Sequence, residues 1–364
     1  MGIAGIMAGD STGYEWLEIP RYASPFLFVS YSLIGICAIM TFYFRRQREL
    51  YVSQWFLLAA LLWFPWIYST AQLLLVFFPA RGVLQAVINT WFAHNLIEFW
   101  LAAVGLAALF YFIPKLLERP LYSRWLAFFG FWLFVLLGGW GGLWIGAPVP
   151  RWLTAVSTLA SVMMILPVIA AALNFYFTLN GQSTILKNSA SGRFILFAAV
   201  AYVIDGVLSS MTTLRPLNQV VRFTQFTNAL LHLNLFGFFA MAMFGSIYYI
   251  VPRLTLQNWA SEKLVQVHFW ASALGIALYT ITLGIGGIVQ GTALNNPSVP
   301  FLDVVGRTQP FLAASSVAIS VLLAGNAALL INLAWTLARC CRTCCQSDCV
   351  IGTDLRPLSA GATR

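Results

Sequence analysis

The chain has 364 residues, 60% of them apolar and only 9% charged, with a net charge of +9 and a mean hydropathy of +0.82. No water-soluble domain of this size tolerates that balance, so a soluble enzyme or soluble binding module is excluded and an integral membrane protein is indicated. The positive charge calls for no nucleic-acid partner, because basic loops beside an anionic leaflet account for it.

In chain order, apolar runs long enough to cross about 30 Å of hydrocarbon at about 1.5 Å per residue lie near residues 24–44, 54–78, 83–113, 122–145, 151–179, 194–214, 223–251, 264–290 and 309–337. The expectation is an all-α polytopic membrane bundle of about nine transmembrane helices. Lipid satisfies no backbone amide, and the runs lack the polar alternation of a barrel strand. The first run follows Pro20 and Arg21 without a charged leader or an A-x-A site, and reads as a retained span rather than a signal peptide. Residues 1–337 are expected to form one transmembrane domain and 338–364 a Cys-rich tail. With the N-terminus outside, fourteen Lys and Arg fall in inner segments and six in outer ones. That asymmetry orients the chain with its C-terminus in the cytoplasm.

Two of the runs repeat one design. His94 is followed at +17, +20 and +21 by Tyr111, Pro114 and Lys115, and His232 at the same spacings by Tyr249, Pro252 and Arg253. About 31 Å of helix separates each histidine from its base, so bases anchored at the inner interface place both imidazoles near the outer edge of the hydrocarbon. Polar side chains at such depth are costly and are functional candidates by default. Glu98, four residues after His94, shares its helix face. The plain alternatives are an imidazole that hydrogen-bonds a neighbouring carbonyl, and a stripe of Phe236, Phe238 and Phe239 that only packs. The third histidine, His268, sits near the inner end of its run. In the tail "RCCRTCCQSDC", Cys341 and Cys344 form a C-x-x-C pair among arginines, a candidate zinc or iron–sulfur ligand set against the plain reading of a reduced or lipidated tail.

The stretch "NALLHLNLFGFFAMAMFGSIYYIVPRL", residues 228–254, resembles the tenth helix of the haem–copper oxidase catalytic subunit. The cbb-type cytochrome oxidases in particular carry H-x-H followed by G-S-I-Y-Y-x-x-P-R-L. "WFAHNLIEFWLAAVGLAALFYFIPK", residues 91–115, resembles that family's G-H-N helix, and "LVQVHFWASALGIALY" around His268 its H-F-W helix. The resemblance runs from about residue 25 to about residue 337.

On these matches His232 falls on the axial ligand of the low-spin haem b, with Phe236 and Phe239 flanking the macrocycle, and Leu230 occupies the first position of H-x-H. The adjacent histidine pair that holds copper together with the G-H-N histidine is replaced by "GGWGGLW", residues 138–144. One imidazole does not hold copper, so His94 is implied to be a relic copper-site ligand. Glu98, matched by a glutamate in nitric oxide reductases, keeps a metal or proton role. A glutamate of the cbb-type proteins is replaced near Leu208. Relative to the family the match starts about three helices late, and those helices carry the opposite axial histidine.

The resemblance therefore implies a haem–copper oxidase subunit I-like bundle lacking the first three helices, in a bacterial inner membrane, non-catalytic or electron-relaying within a respiratory or oxidoreductase complex. It implies one haem b shared with a small membrane subunit that supplies the three helices and the second histidine, cytochrome or dehydrogenase subunits as further partners, and no copper. Two alternatives stand beside it: a structural anchor without cofactor, and an active oxygen or nitric oxide reductase subunit with atypical ligands.

Overall fold

The computed structural model describes residues 1–46, 49–143 and 146–346, with side chains described as far as residue 341. Among the described residues every regular element is a helix. Eight helices are long and apolar enough to cross a membrane: Ser24–Tyr43, Val52–Phe77, Leu84–Leu117, Arg151–Leu179, Ala190–Thr212, Gln225–Thr255, Glu262–Leu294 and Phe301–Cys341. The ninth expected run, 122–145, is the shorter apolar helix Arg124–Gly138. It stops early because "GGWGG" removes the side chains that would pay for continued helix, and Gly142 takes a φ of +97° that turns the chain back. At the other end, the last helix continues unbroken to Gln346, past the boundary expected at 337. Cys341 is therefore an exposed residue of that helix, while the side chain of Cys344 lies outside the described residues.

The internal repeat read from the sequence extends much further in three dimensions. Both repeated helices leave α geometry immediately after their histidine, His94 and His232, for a π-helical stretch, Asn95–Leu101 in one and Leu233–Ala240 in the other. Both return to α and end on a left-handed residue, Glu118 and Leu256, each at a φ of 52° and each twenty-four positions beyond its histidine. Five positions further on, Ser123 and Ser261 cap the next helix, their hydroxyls accepting from the amides of Leu126 and Leu264.

A buried asparagine then clamps each capping serine. Asn174 accepts from the Ser123 amide at 3.1 Å and donates to the Ser123 carbonyl at 2.7 Å; Asn332 does the same for Ser261, at 3.0 Å in both directions. One turn later, Thr178 and Thr336 accept from the amides of Tyr122 and Ala260, each at 3.1 Å. The first amides of a helix have no partner within it, and in lipid no water substitutes. These clamps satisfy them and tie Arg124–Gly138 to Arg151–Leu179, and Glu262–Leu294 to the final helix.

The core is built of phenylalanines, among them Phe99, Phe110, Phe134, Phe194 and Phe238, all essentially inaccessible. Gly105 lets the two histidine helices approach: a Cβ there would stand 2.5 Å from the Phe238 ring. At the surface, Arg124 donates to Glu49 at 2.6 Å and holds its carboxyl below the usual carboxylate range.

The clamps give a direct test. Asn174→Ala and Asn332→Ala each remove two buried hydrogen bonds and strand the serine's peptide groups, and each is expected to cost about 2–3 kcal/mol, read as a lowered thermal midpoint in detergent. Glu49→Gln, which breaks only an exposed ion pair, should leave that midpoint where it was.

Candidate functional site

A cavity of about 330 Å³, lined by both polar and apolar side chains, lies between the two histidine helices, the Ala190–Thr212 helix and the 138–143 turn. Its mouth is at the end of the bundle that carries Glu15 and the 212–222 connection, and its floor is formed by Glu98, Asp205 and Asn234. His94, Leu230 and Gly138 through Gly142 all border it. It therefore occupies the place to which the sequence match assigns the metal-binding positions.

His94 is held by the turn that stands where the resemblance puts a histidine pair. Its Nε2 donates to the Gly138 carbonyl at 3.1 Å, since a carbonyl only accepts. Gly141 and Gly142 pack directly on the ring, and a Cβ at Gly141 would collide with Nε2 and Cε1. The neighbouring Asn95 fixes the same turn from below: it accepts from the Trp63 indole at 3.1 Å and donates to the Gly139 carbonyl at 3.5 Å, while the Trp91 indole donates to that carbonyl at 3.3 Å. Peptide groups and glycine thus fill the side of the His94 ring from which further ligands would come. Leu230 presents no donor atom to the cavity.

Glu98 does share the face of His94, because both border the cavity. The sequence reading missed its partners. Asn234 donates from Nδ2 to Asp205 at 2.9 Å and to Glu98 at 3.3 Å, so one amide group draws two carboxylates together. Asp205 and Asn234 are each only 2% exposed, and the remaining oxygens, Asp205 Oδ1 and Asn234 Oδ1, have no hydrogen-bond partner. Asp205 was detectable as the sole acid in the apolar run 190–212, which the rule on intramembrane charges marks as functional. Asn234 was not detectable, because its inward aim depends on the π-helical stretch, whose wider turns no local sequence pattern announces.

His232 does not border this cavity. Its Nδ1 donates to the Asn228 carbonyl at 2.7 Å, one turn back on the same helix. Nδ1 is thereby the donor, and Nε2 is the ring nitrogen not engaged by this bond. The ring is half-buried on the flank shared with Glu262–Leu294, 4.8 Å from the Tyr279 ring and 5.5 Å from that of Phe236. Phe236 is partly exposed on this flank and Phe239 half-buried, whereas Phe238 turns into the core against Tyr202. His268 is fully buried elsewhere, sharing a 2.9 Å hydrogen bond with the Tyr248 hydroxyl between Phe194 and Phe244. Among the described residues no three His, Cys, Asp or Glu side chains converge on a metal-sized space.

Residues 1–321 match the family described as cytochrome c and quinol oxidase polypeptide I. The chain belongs to that family. It is 29% identical over 356 residues to the cytochrome c oxidase subunit 1 homolog of Azorhizobium caulinodans, covering 92% of this chain and 64% of that one. It is 27% identical over 257 residues to the Cbb3-type cytochrome c oxidase subunit CcoN1 of Stutzerimonas stutzeri, covering 68% and 54%. The fold also matches a solved heme-copper terminal oxidase dimer, with a TM-score of 0.68 at 17% identity, over 85% of this chain and 63% of that one. The protein is thus a multi-span membrane protein of the haem–copper oxidase subunit I type, a family that binds haem, and it spans somewhat under two thirds of the length of these relatives.

The packing on His94 predicts that Gly141→Ala displaces the imidazole from the Gly138 carbonyl and costs about 1–3 kcal/mol, the usual penalty of overpacking. Gly306→Ala, where a Cβ meets nothing within 4 Å, should be neutral or slightly stabilising in the same thermal melt.

Proposed function

We propose that this chain is a non-catalytic, electron-relaying subunit of an oxidase-type membrane complex, in which His232 supplies one axial ligand to a low-spin haem b. The observation that carries the reading is the Nδ1 hydrogen bond to the Asn228 carbonyl. A metal-ligating histidine almost always donates its other ring N–H in this way, which fixes the tautomer and raises ligand basicity. Nε2 is left free at a half-buried apolar flank, where Phe236 and Tyr279 offer flat surfaces for a macrocycle. A haem bound there supplies one-electron transfer.

The other two histidines of residues 1–364 do not supply the second imidazole. Only three histidines are present; His94 is engaged with Gly138 across the bundle, and His268 is buried against Tyr248. We assign the second ligand to a small membrane subunit seated on the His232 flank, contributing the helices that complete the bundle, with cytochrome or dehydrogenase subunits as electron partners. We read the cavity as holding no copper, because among the described residues His94 faces glycines and carbonyls instead of imidazoles and Leu230 offers no ligand for a second haem. Oxygen or nitric oxide reduction at this cavity therefore has nothing to bind its substrate beside an iron. The chain is placed in a bacterial inner membrane, the His94 and His232 end outward.

The purified native complex is expected to show the reduced-minus-oxidised spectrum of a six-coordinate haem b. His232→Ala should abolish or convert that signal, whereas His94→Ala should leave it intact. A complex without haem b leaves only the reading as a structural anchor. Loss of the signal in both variants alike would also contradict the assignment to His232.

A further inference from the structure

The floor of the cavity is an acceptor-rich pocket that the haem reading does not use. Two carboxylates, Glu98 and Asp205, converge on the Asn234 amide nitrogen, which places their bonded oxygens no more than about 6 Å apart. The only donor that joins them is neutral. Independently, the carbonyl oxygen of Asn234 and Oδ1 of Asp205 are buried and accept no hydrogen bond, and both residues line the cavity. Asn234 cannot turn its amide round to relieve this, because its nitrogen is the group both carboxylates require. The hydrogen bonds described at this floor bring oxygen atoms together through a neutral amide.

We propose that Glu98, Asp205 and Asn234 form a binding site for one hard divalent cation of calcium's class, entered from the cavity mouth. Ligand type selects the class: carboxylate and amide oxygens suit calcium or magnesium, and the absence of a converging imidazole or thiolate disfavours zinc, copper and iron. Two carboxylates balance a charge of +2, removing the repulsion that otherwise sets two buried acids against each other. Calcium fits better than magnesium because it takes 6–8 oxygens in irregular geometry, the three side chains providing some and water in a cavity of about 330 Å³ the rest. Ser209, Ser210, Thr212 and Asn218 are among the polar side chains that line the cavity. His94 takes no part, its Nε2 being held by Gly138.

The test uses the full chain, in its native complex where that is isolated, stripped with chelator and titrated with calcium chloride or magnesium chloride. Binding is read by calorimetry and by metal content after desalting. One equivalent of calcium is expected, bound more tightly than magnesium, and raising the thermal midpoint. Asp205→Asn and Glu98→Gln should each weaken calcium binding at least about tenfold and abolish the midpoint shift. Asn234→Asp, which keeps an oxygen ligand, should retain binding, and Glu49→Gln should match the unaltered protein. Failure of the unaltered protein to bind either metal at millimolar concentration, meaning that the acids hold only protons, overturns the proposal, as does undiminished binding by Asp205→Asn and Glu98→Gln. Because the readout is independent of haem, its failure is distinguishable from failure of the His232 assignment.

Discussion

The hydrogen bond from His232 Nδ1 to the Asn228 carbonyl is the interaction on which the proposed haem ligation rests. That carbonyl is one turn back on the same helix, and the bond engages Nδ1 rather than Nε2. The repeat makes the comparison with His94 instructive. Two histidines occupy equivalent positions, each followed by a π-helical stretch and each twenty-four positions from a left-handed cap. Yet His94 commits Nε2 to a helix-end carbonyl and lies against glycine backbone, whereas His232 commits Nδ1 and faces the flank. Equivalent placement has given one imidazole packed against a glycine turn and another hydrogen-bonded within its own helix on the flank of the bundle.

The same frame explains why polar groups persist in so apolar a chain. In hydrocarbon every unpaired peptide group costs several kcal/mol, and the paired clamps on Ser123 and Ser261 meet that cost with neutral side chains. Some buried side-chain atoms lack such compensation, among them both amide atoms of Gln72 and the carbonyl oxygen of Asn326. Asp205 and Asn234 keep buried oxygens without partners beside a cavity that opens to one end of the bundle. What sets Asp205 and Asn234 apart from the other buried groups without partners, such as Gln72 and Asn326, is that both line the cavity and meet Glu98 there.

Much of this was legible in the sequence, and for identifiable reasons. Apolar runs fix spans because lipid demands it, and eight of the expected nine are long helices; the run over 122–145 fell short where glycines ended Arg124–Gly138. The histidine repeat was visible through His94, Tyr111, Pro114 and Lys115 and their counterparts, but its continuation into Asn174 and Asn332 was not. The loops between the clamp partners differ in length, so no constant spacing reveals them. The shared face of His94 and Glu98 was legible because residues four apart remain neighbours. The meeting of Glu98, Asp205 and Asn234 was not, since it depends on three helices closing together and on a π-helical register that single-helix periodicity does not encode.

The most direct test is an experimental density map of the native complex around the imidazole of residue 232. The account predicts a porphyrin whose iron lies within coordination distance of Nε2, with a histidine of another polypeptide on the opposite face and Phe236 beside the ring. Lipid chains or close-packed aromatic side chains in contact with Nε2 would contradict it.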